Sequence, residues 1–188
     1  MHPKFYLQLL RIRLQRPRPL KLHLGCGTNY LKSYINIDTN RKVKADLHLD
    51  FCLLNKIFSP RSISETLMIH SLSYLNLWQA RDFFKQISIL SELNGRLIIE
   101  LPDITKCAQK IVDCSQRLPD YVEGVRGFYA FDFKQISARE LYTPYAFGWS
   151  GWHLKQELED AGFKKVLLCS PQTHEHPWRD FRIEATKI

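Results

Sequence analysis

The sequence predicts an α/β fold organised on a doubly wound, mostly parallel sheet. Three observations carry this expectation. Apolar runs of strand length recur along the chain, a strongly periodic helical segment feeds directly into one of them, and most runs stop at a glycine, an acid or a histidine. Strands that alternate with helices pair in parallel through crossovers. Their carboxyl ends then share one rim, and ligands bind there.

Residues 4–14 place Phe5, Leu9 and Ile12 at i, i+4 and i+7 between basic residues, the pattern of a short amphipathic helix ending before Pro17 and Pro19. It reads as a leading helix over the sheet edge or a ligand site, in preference to a membrane-surface contact. Lys21-Leu22-His23-Leu24 is the first strand and runs into Gly25-Cys26-Gly27. Glycines suit a tight turn whose backbone approaches a ligand closely. Thr28–Ser33 is too short for a full helix, so the second strand, Tyr34–Asp38, follows at once and ends in a carboxylate. Such an acid is placed to accept hydrogen bonds from two ribose hydroxyls.

Lys44–Phe51 reads as a third short strand with Asp46 and Asp50 at its two ends, followed by a helical turn over Leu53–Phe58. Glu65–His70 is the fourth strand. Leu77–Leu93 is the clearest helix, with Ala80, Phe83, Phe84, Ile87, Ile89 and Leu90 on a broad apolar face and Gly95 as its expected stop. Arg96–Leu101, closed by Pro102-Asp103, is the fifth strand. Ile104–Leu118 is compatible with a helix, and the aromatic-rich stretch after Pro119, from Tyr121 to Phe147, reads as a substrate lid or an extra packing layer. Trp152–Ala161 is a second good helix, ended by Gly162. Lys165–Cys169 and Phe181–Thr186 are the final strands, the last alternating polar and apolar residues as an antiparallel partner does. The expected architecture is thus a Rossmann-like doubly wound sheet of about seven strands, mostly parallel with an antiparallel last strand. It occupies one domain over residues 20–188, with a possible lid at 104–150, behind a basic segment at 1–19.

Composition bounds the function classes. A chain of 188 residues suffices for one well-buried core and is short for two domains. No apolar run approaches the roughly 20 residues of a membrane span. Arg11 and Arg13 interrupt the only early apolar stretch, which argues against a signal peptide. The net charge of +8 is concentrated near the start, in Lys4, Arg11, Arg13, Arg16, Arg18 and Lys21. It favours acidic partners such as nucleic acid, phosphorylated sugars or anionic lipid without choosing among them, and a solvated basic face serves as well. Five cysteines form an odd set without C-x-x-C spacing, so free thiols in a reducing cytoplasm are expected. A dinucleotide fingerprint fits poorly, because its third glycine would fall at Tyr30 and the acid comes eleven residues after Gly27 instead of about twenty.

With these residues in view, the sequence resembles the class I S-adenosylmethionine-dependent methyltransferases. It is most similar to small members with an abbreviated first crossover, in which Gly-Cys-Gly is followed by about six residues and Trp/Tyr-Ile-Asn-Val/Ile-Asp. The resemblance covers roughly residues 20–188 and rests on Leu24–Gly27, Tyr34–Asp38, Ala45–Asp50, Leu93–Asp103, Ala161-Gly162-Phe163 and Arg179–Ala185. It implies that Gly25, Cys26 and Gly27 lie against the methionine and ribose parts of S-adenosylmethionine, and that Asp38 holds the ribose hydroxyls. Asp50 would accept from the adenine amino group, with the Phe51 backbone nearby and Asp46 as the weaker candidate. His70 would line the methyl-transfer side. It further implies a small-molecule or glycan acceptor. This chain departs from the family where a His-Val-Leu-Glu-His-Leu-like run is common: it reads His70-Ser71-Leu72-Ser73-Tyr74-Leu75, and Leu93-Asn94-Gly95 shortens the usual Lys-Pro-Gly-Gly turn.

Methyl transfer from a sulfonium needs alignment and desolvation more than covalent help. A general base is needed when the acceptor is a hydroxyl. His70 and Asp103 are the first candidates, each with a plainer reading, a cofactor-wall imidazole and a helix N-cap. His153, His174 and His176 follow. His174-x-His176 lacks zinc partners at usable spacing, and no metal is expected. Two rivals remain: a non-catalytic protein keeping the fold and perhaps the cofactor, and a nucleic-acid binder using the basic N-terminal segment, for which no recognised motif exists.

Overall fold

The computed structural model describes residues 19–130, 143–172 and 176–188. Its strands are β1 (Leu20–Leu24), β2 (Ile35–Asp38), β3 (Leu47–His48), β4 (Ile63–Ile69), β5 (Ser91–Pro102), β6 (Phe163–Cys169) and β7 (Asp180–Lys187). The helices are α1 (Leu77–Leu90), α2 (Ile104–Val112), α3 (Leu118–Tyr129) and α4 (Gly151–Asp160). All seven strands form one sheet in the order β3-β2-β1-β4-β5-β7-β6. Pairs from β3 through β5 are parallel, and β7 runs antiparallel to β5 and β6. The sheet is the one the alternation of helix and strand predicts.

Period-two alternation decides which side chains enter the core. Leu22 and Leu24 of β1, Met68 of β4, Leu97, Ile99 and Leu101 of β5 and Ile183 of β7 are fully buried, in one cluster with Phe83, Phe84 and Ile87 of α1 and Leu154 and Leu158 of α4. Each such burial is worth about 1.5–3 kcal/mol. A capping box starts α1: Gln79 N–H donates to Asn76 Oδ1 at 2.9 Å and Asn76 N–H to Gln79 Oε1 at 3.0 Å. The alternate residues of β4, β5 and β7 set charges in register, Glu65 opposite Arg96 and Glu100 opposite Arg182. Arg182 donates to Glu100 Oε1 at 2.7 Å. Glu100 has no exposed surface, so that pair must stay intact.

The first crossover carries no helix, and Asn36 replaces one. This fully buried side chain accepts from Leu31 N–H at 2.9 Å and donates to the carbonyls of Leu31 at 2.8 Å and Tyr34 at 3.1 Å. One amide thereby pins the loop between β1 and β2.

Several expectations need correction. The third strand is only Leu47–His48, and Asp50 lies beyond it as the N-cap of a 3-10 turn over Phe51–Lys56. Helix α1 ends at Leu90, and Ile89 is exposed. Gly95 does not stop that helix: it closes an irregularity in β5, where Ile63 pairs with Ser91 but Glu65 with Arg96. The segment from Ile104 breaks after Val112, and Pro119 sits in the first turn of α3, where its missing N–H costs nothing. The predicted helix at 4–14, residues 131–142 of the proposed lid, and His174 lie outside the described residues. Among the described residues, no helix is long and apolar enough to cross a membrane.

Candidate functional site

The rim at the carboxyl ends of β1, β2 and β4 brings most of the expected residues together. After β1 the chain turns over the end of β2: Gly25 N–H donates to Ile37 O at 2.8 Å and Cys26 N–H to the same oxygen at 3.2 Å. Gly27 N–H then donates to Asp38 Oδ2 at 2.8 Å, while Asn40 N–H donates to Oδ1 at 2.8 Å. Each oxygen of an ionised carboxylate has two lone pairs, so both keep acceptor capacity for a diol.

The two glycines serve different ends. Gly25 has φ +67°, and a Cβ there would stand 2.2 Å from Ser71 Cβ and 3.4 Å from the Phe51 ring. Its missing side chain lets the chain beyond β4 close onto the loop, where Ser71 Oγ donates to Leu24 O at 2.7 Å. Gly27 has φ +51°, and a Cβ there would meet nothing within 4 Å. Gly27 thus leaves open space beside a backbone turn and the half-buried Asp38 carboxylate.

Cys26 contributes packing. Burial, reinforced by the Asp38 charge, pushes its thiol up to about 11, so it stays protonated near neutrality. Asp50 is exposed and accepts from Cys52 N–H at 2.9 Å. The Phe51 ring is buried, 6.3 Å from Phe83. Asp46 is engaged by Asn36 N–H at 2.8 Å and the Tyr30 hydroxyl at 2.8 Å, which ties it to the loop. Asp103 sits apart from the glycine loop at the end of β5, and its carboxylate caps α2 by accepting from Thr105 N–H at 2.9 Å.

His70 stands directly after β4 with φ +55°, a backbone conformation that costs a non-glycine residue about 1 kcal/mol and clusters at functional sites. Its Nε2 lies 2.9 Å from Oδ2 of Asp180, a residue 110 positions away with no exposed surface. The other oxygen, Oδ1, accepts from Arg179 Nε at 2.8 Å. The Tyr145 hydroxyl is 3.4 Å from His70 Nδ1, and its ring meets Tyr74 edge-on at 5.1 Å. Burial holds the Tyr145 phenol far above its ordinary range, so it is neutral. Ala146 and Phe147 N–H both donate to Ser73 O, at 2.8 and 3.2 Å, which anchors the segment carrying Tyr145 beside the histidine.

Sequence reading named His70 and missed Asp180, Arg179 and Tyr145 as its neighbours. The available signal was Arg179-Asp180 at the head of an alternating strand, where an acid has no reason to be buried unless something on the rim needs it. His153 lies on α4 within 3.3 Å of Glu157 and stacked on Trp149. Among the described residues, no group of three or more His, Cys, Asp or Glu is arranged to hold a metal.

No protein-family model matches the chain, and no curated protein matches it in sequence. Solved structures do match in fold. The chain is similar to a SAM-dependent methyltransferase from Archaeoglobus fulgidus, at TM-score 0.61 and 14% identity over 98% of this chain and 96% of that one. One from Methanosarcina mazei superposes at 0.59 and 16% identity over 100% and 98%. A possible histamine N-methyltransferase from Thermotoga maritima does so at 0.57 and 17% over 98% and 91%. The fold is that of the class I S-adenosylmethionine-dependent methyltransferases.

Proposed function

We propose that the chain is an enzyme that binds S-adenosylmethionine at the Gly25–Gly27 loop and transfers its methyl group to a small-molecule or glycan acceptor. The observation that carries this reading is the cradle itself: open space at Gly27, its N–H on Asp38, and a carboxylate with lone pairs to spare. Asp38 would hold the ribose hydroxyls, the loop backbone would face the ribose and methionine parts, and Asp50 with the Phe51 backbone would meet the adenine. The cofactor supplies an electrophilic methyl group. This chain's residues bind it, exclude water and hold the acceptor in line. His70 would line the acceptor side of the rim, whereas the capping role of Asp103 removes the reason to invoke it as a base.

Calorimetric titration with S-adenosylmethionine tests the proposal, and absence of binding by the wild-type chain defeats it. A second reading, a binding protein without turnover, is favoured by Ser73-Tyr74, which stand where the family that the sequence resembles commonly has Glu-His. Production of S-adenosylhomocysteine from the cofactor and a cell extract eliminates it. The Thermotoga neighbour, a possible histamine N-methyltransferase, makes amines an acceptor class to test beside hydroxyls.

A further inference from the structure

We propose that the chain pairs with a second copy of itself through the outer face of α1. The two helices run antiparallel about a two-fold axis that crosses them between Phe83 and Phe84. The inference concerns a surface away from the glycine turn and stands whether or not that turn takes S-adenosylmethionine.

Helix α1 has two unlike sides. Ala80, Phe83, Phe84, Ile87 and Leu90 are buried against the sheet and α4. At about 100° per residue, Asp82, Lys85 and Ile89 return to within about 40° of Trp78, on the side turned away from that core. A helix of this kind ordinarily carries a polar outer face. Here the two ends of the outer stripe are apolar and open, with Trp78 70% exposed and Ile89 61%. Between them stand one acid and one base, Asp82 and Lys85, both exposed. Among the described residues neither makes an ion pair. Arg81 beside them is already committed, donating to both oxygens of Glu157 at 2.8 and 2.7 Å.

The flanks of the stripe are fixed. Arg81 ties α1 to α4, and its guanidinium stands 5.2 Å from the centre of the Trp78 ring. On the other flank Gln86 donates to Phe51 O at 3.2 Å and accepts from Asn55 N–H at 2.6 Å. The ridge is thus presented on a braced helix, and little freedom is lost when it is covered.

In an isologous contact, if one residue faces a second, the second faces the first. With the axis between Phe83 and Phe84, Trp78 of one copy faces the partner's Ile89, and Asp82 faces the partner's Lys85. The two-fold repeats both. Four residues therefore give two apolar pairs at the ends and two opposite-charge pairs at the centre, along about 17 Å of helix. Moving the axis to Lys85 or to Asp82 sets like charges against each other, and a parallel two-fold does the same. The central charges thereby select one register. One helix laid on one helix is a small interface, so the dimer forms and dissociates with concentration.

Sedimentation velocity of the full chain between roughly 5 and 500 μM tests this. A monomer–dimer equilibrium is expected for the wild type. Asp82→Lys and Lys85→Asp each set two like-charge pairs across the axis and should weaken pairing at least about tenfold. Combining both substitutions in one chain restores opposite pairs and should restore the dimer. Mixing the two single variants should give a heterodimer, because each then meets its opposite at both central positions. Trp78→Ser should weaken pairing as well. All these side chains are exposed, so thermal melts of the variants should stay within about 2 °C of wild type. A wild-type monomer at every concentration overturns the proposal. So does a dimer that neither charge reversal weakens, which places the contact elsewhere. Failure of the double variant and of the mixture to restore pairing overturns the two-fold register.

Discussion

Alanine at Gly25 and at Gly27 separates the two tasks assigned to the glycine turn. Both positions have positive φ, which costs an L-residue about 1–2 kcal/mol. At Gly25 the added Cβ also lands 2.2 Å from Ser71 Cβ, an atom fixed to the backbone, and crowds the Ser71 hydroxyl that bonds Leu24 O. Overpacking of that kind adds about 1–3 kcal/mol. Gly25→Ala should therefore lose about 2–5 kcal/mol in all, a fall in Tm of roughly 4–20 °C for a chain of this size. At Gly27 the Cβ meets nothing within 4 Å, so only the backbone cost remains. Gly27→Ala should fall by roughly 2–8 °C yet lose at least about tenfold, or 1.4 kcal/mol, in affinity for S-adenosylmethionine. Urea unfolding and calorimetry read the two quantities separately. Equal stability of the two variants, or wild-type affinity in Gly27→Ala, would refute the division of labour.

Four further outcomes are expected. Arg182→Met removes the cation paired with the fully buried Glu100, leaving the Gln172 N–H on its Oε1, and should cost about 3–5 kcal/mol, whereas Lys155→Ala, which breaks an exposed pair with Glu159, should stay within about 0.5 kcal/mol in the same urea titration. Asn36→Leu leaves the Leu31 N–H and the Leu31 and Tyr34 carbonyls without their amide partner and should cost about 2–3 kcal/mol. The Arg81 hydrogen bond holds Glu157 below its ordinary 4.5, so the stability it contributes is complete above that pH and lost as pH falls through the lower folded value. Thermal melts on acidification should show this loss, and Arg81→Ala should flatten it. At mildly alkaline pH a thiol reagent should label exposed Cys52 before Cys26 and Cys107, whose thiols burial pushes up to about 11 and about 12; early loss of Cys107 would contradict its placement.

What was legible in the sequence was local. Leu24-Gly25-Cys26-Gly27 and Ile35–Asp38 announce a strand, a turn and an acid within one short stretch, and the apolar runs of β4 and β5 carry their own pattern. The errors arose where one residue type has two uses. Gly95 stands where a helix stop would stand but serves a strand irregularity, and Pro119 both excludes a helix interior and suits a helix start. Asp50 is expected at a strand end and instead caps a 3-10 turn, while Asp103 takes the helix-cap reading the sequence already offers. The pairing of His70 with Asp180 was invisible because it depends on β7 entering between β5 and β6, a topological fact that no local pattern encodes.

The central claim is that Gly27 and Asp38 form the nucleoside cradle. Its most direct measurement is calorimetric titration of S-adenosylmethionine into the wild-type chain and into Asp38→Ala. Saturable binding by the wild type, weakened at least about tenfold in a folded Asp38→Ala, is the predicted result. No heat with the wild type, or equal affinity in the two, would contradict it.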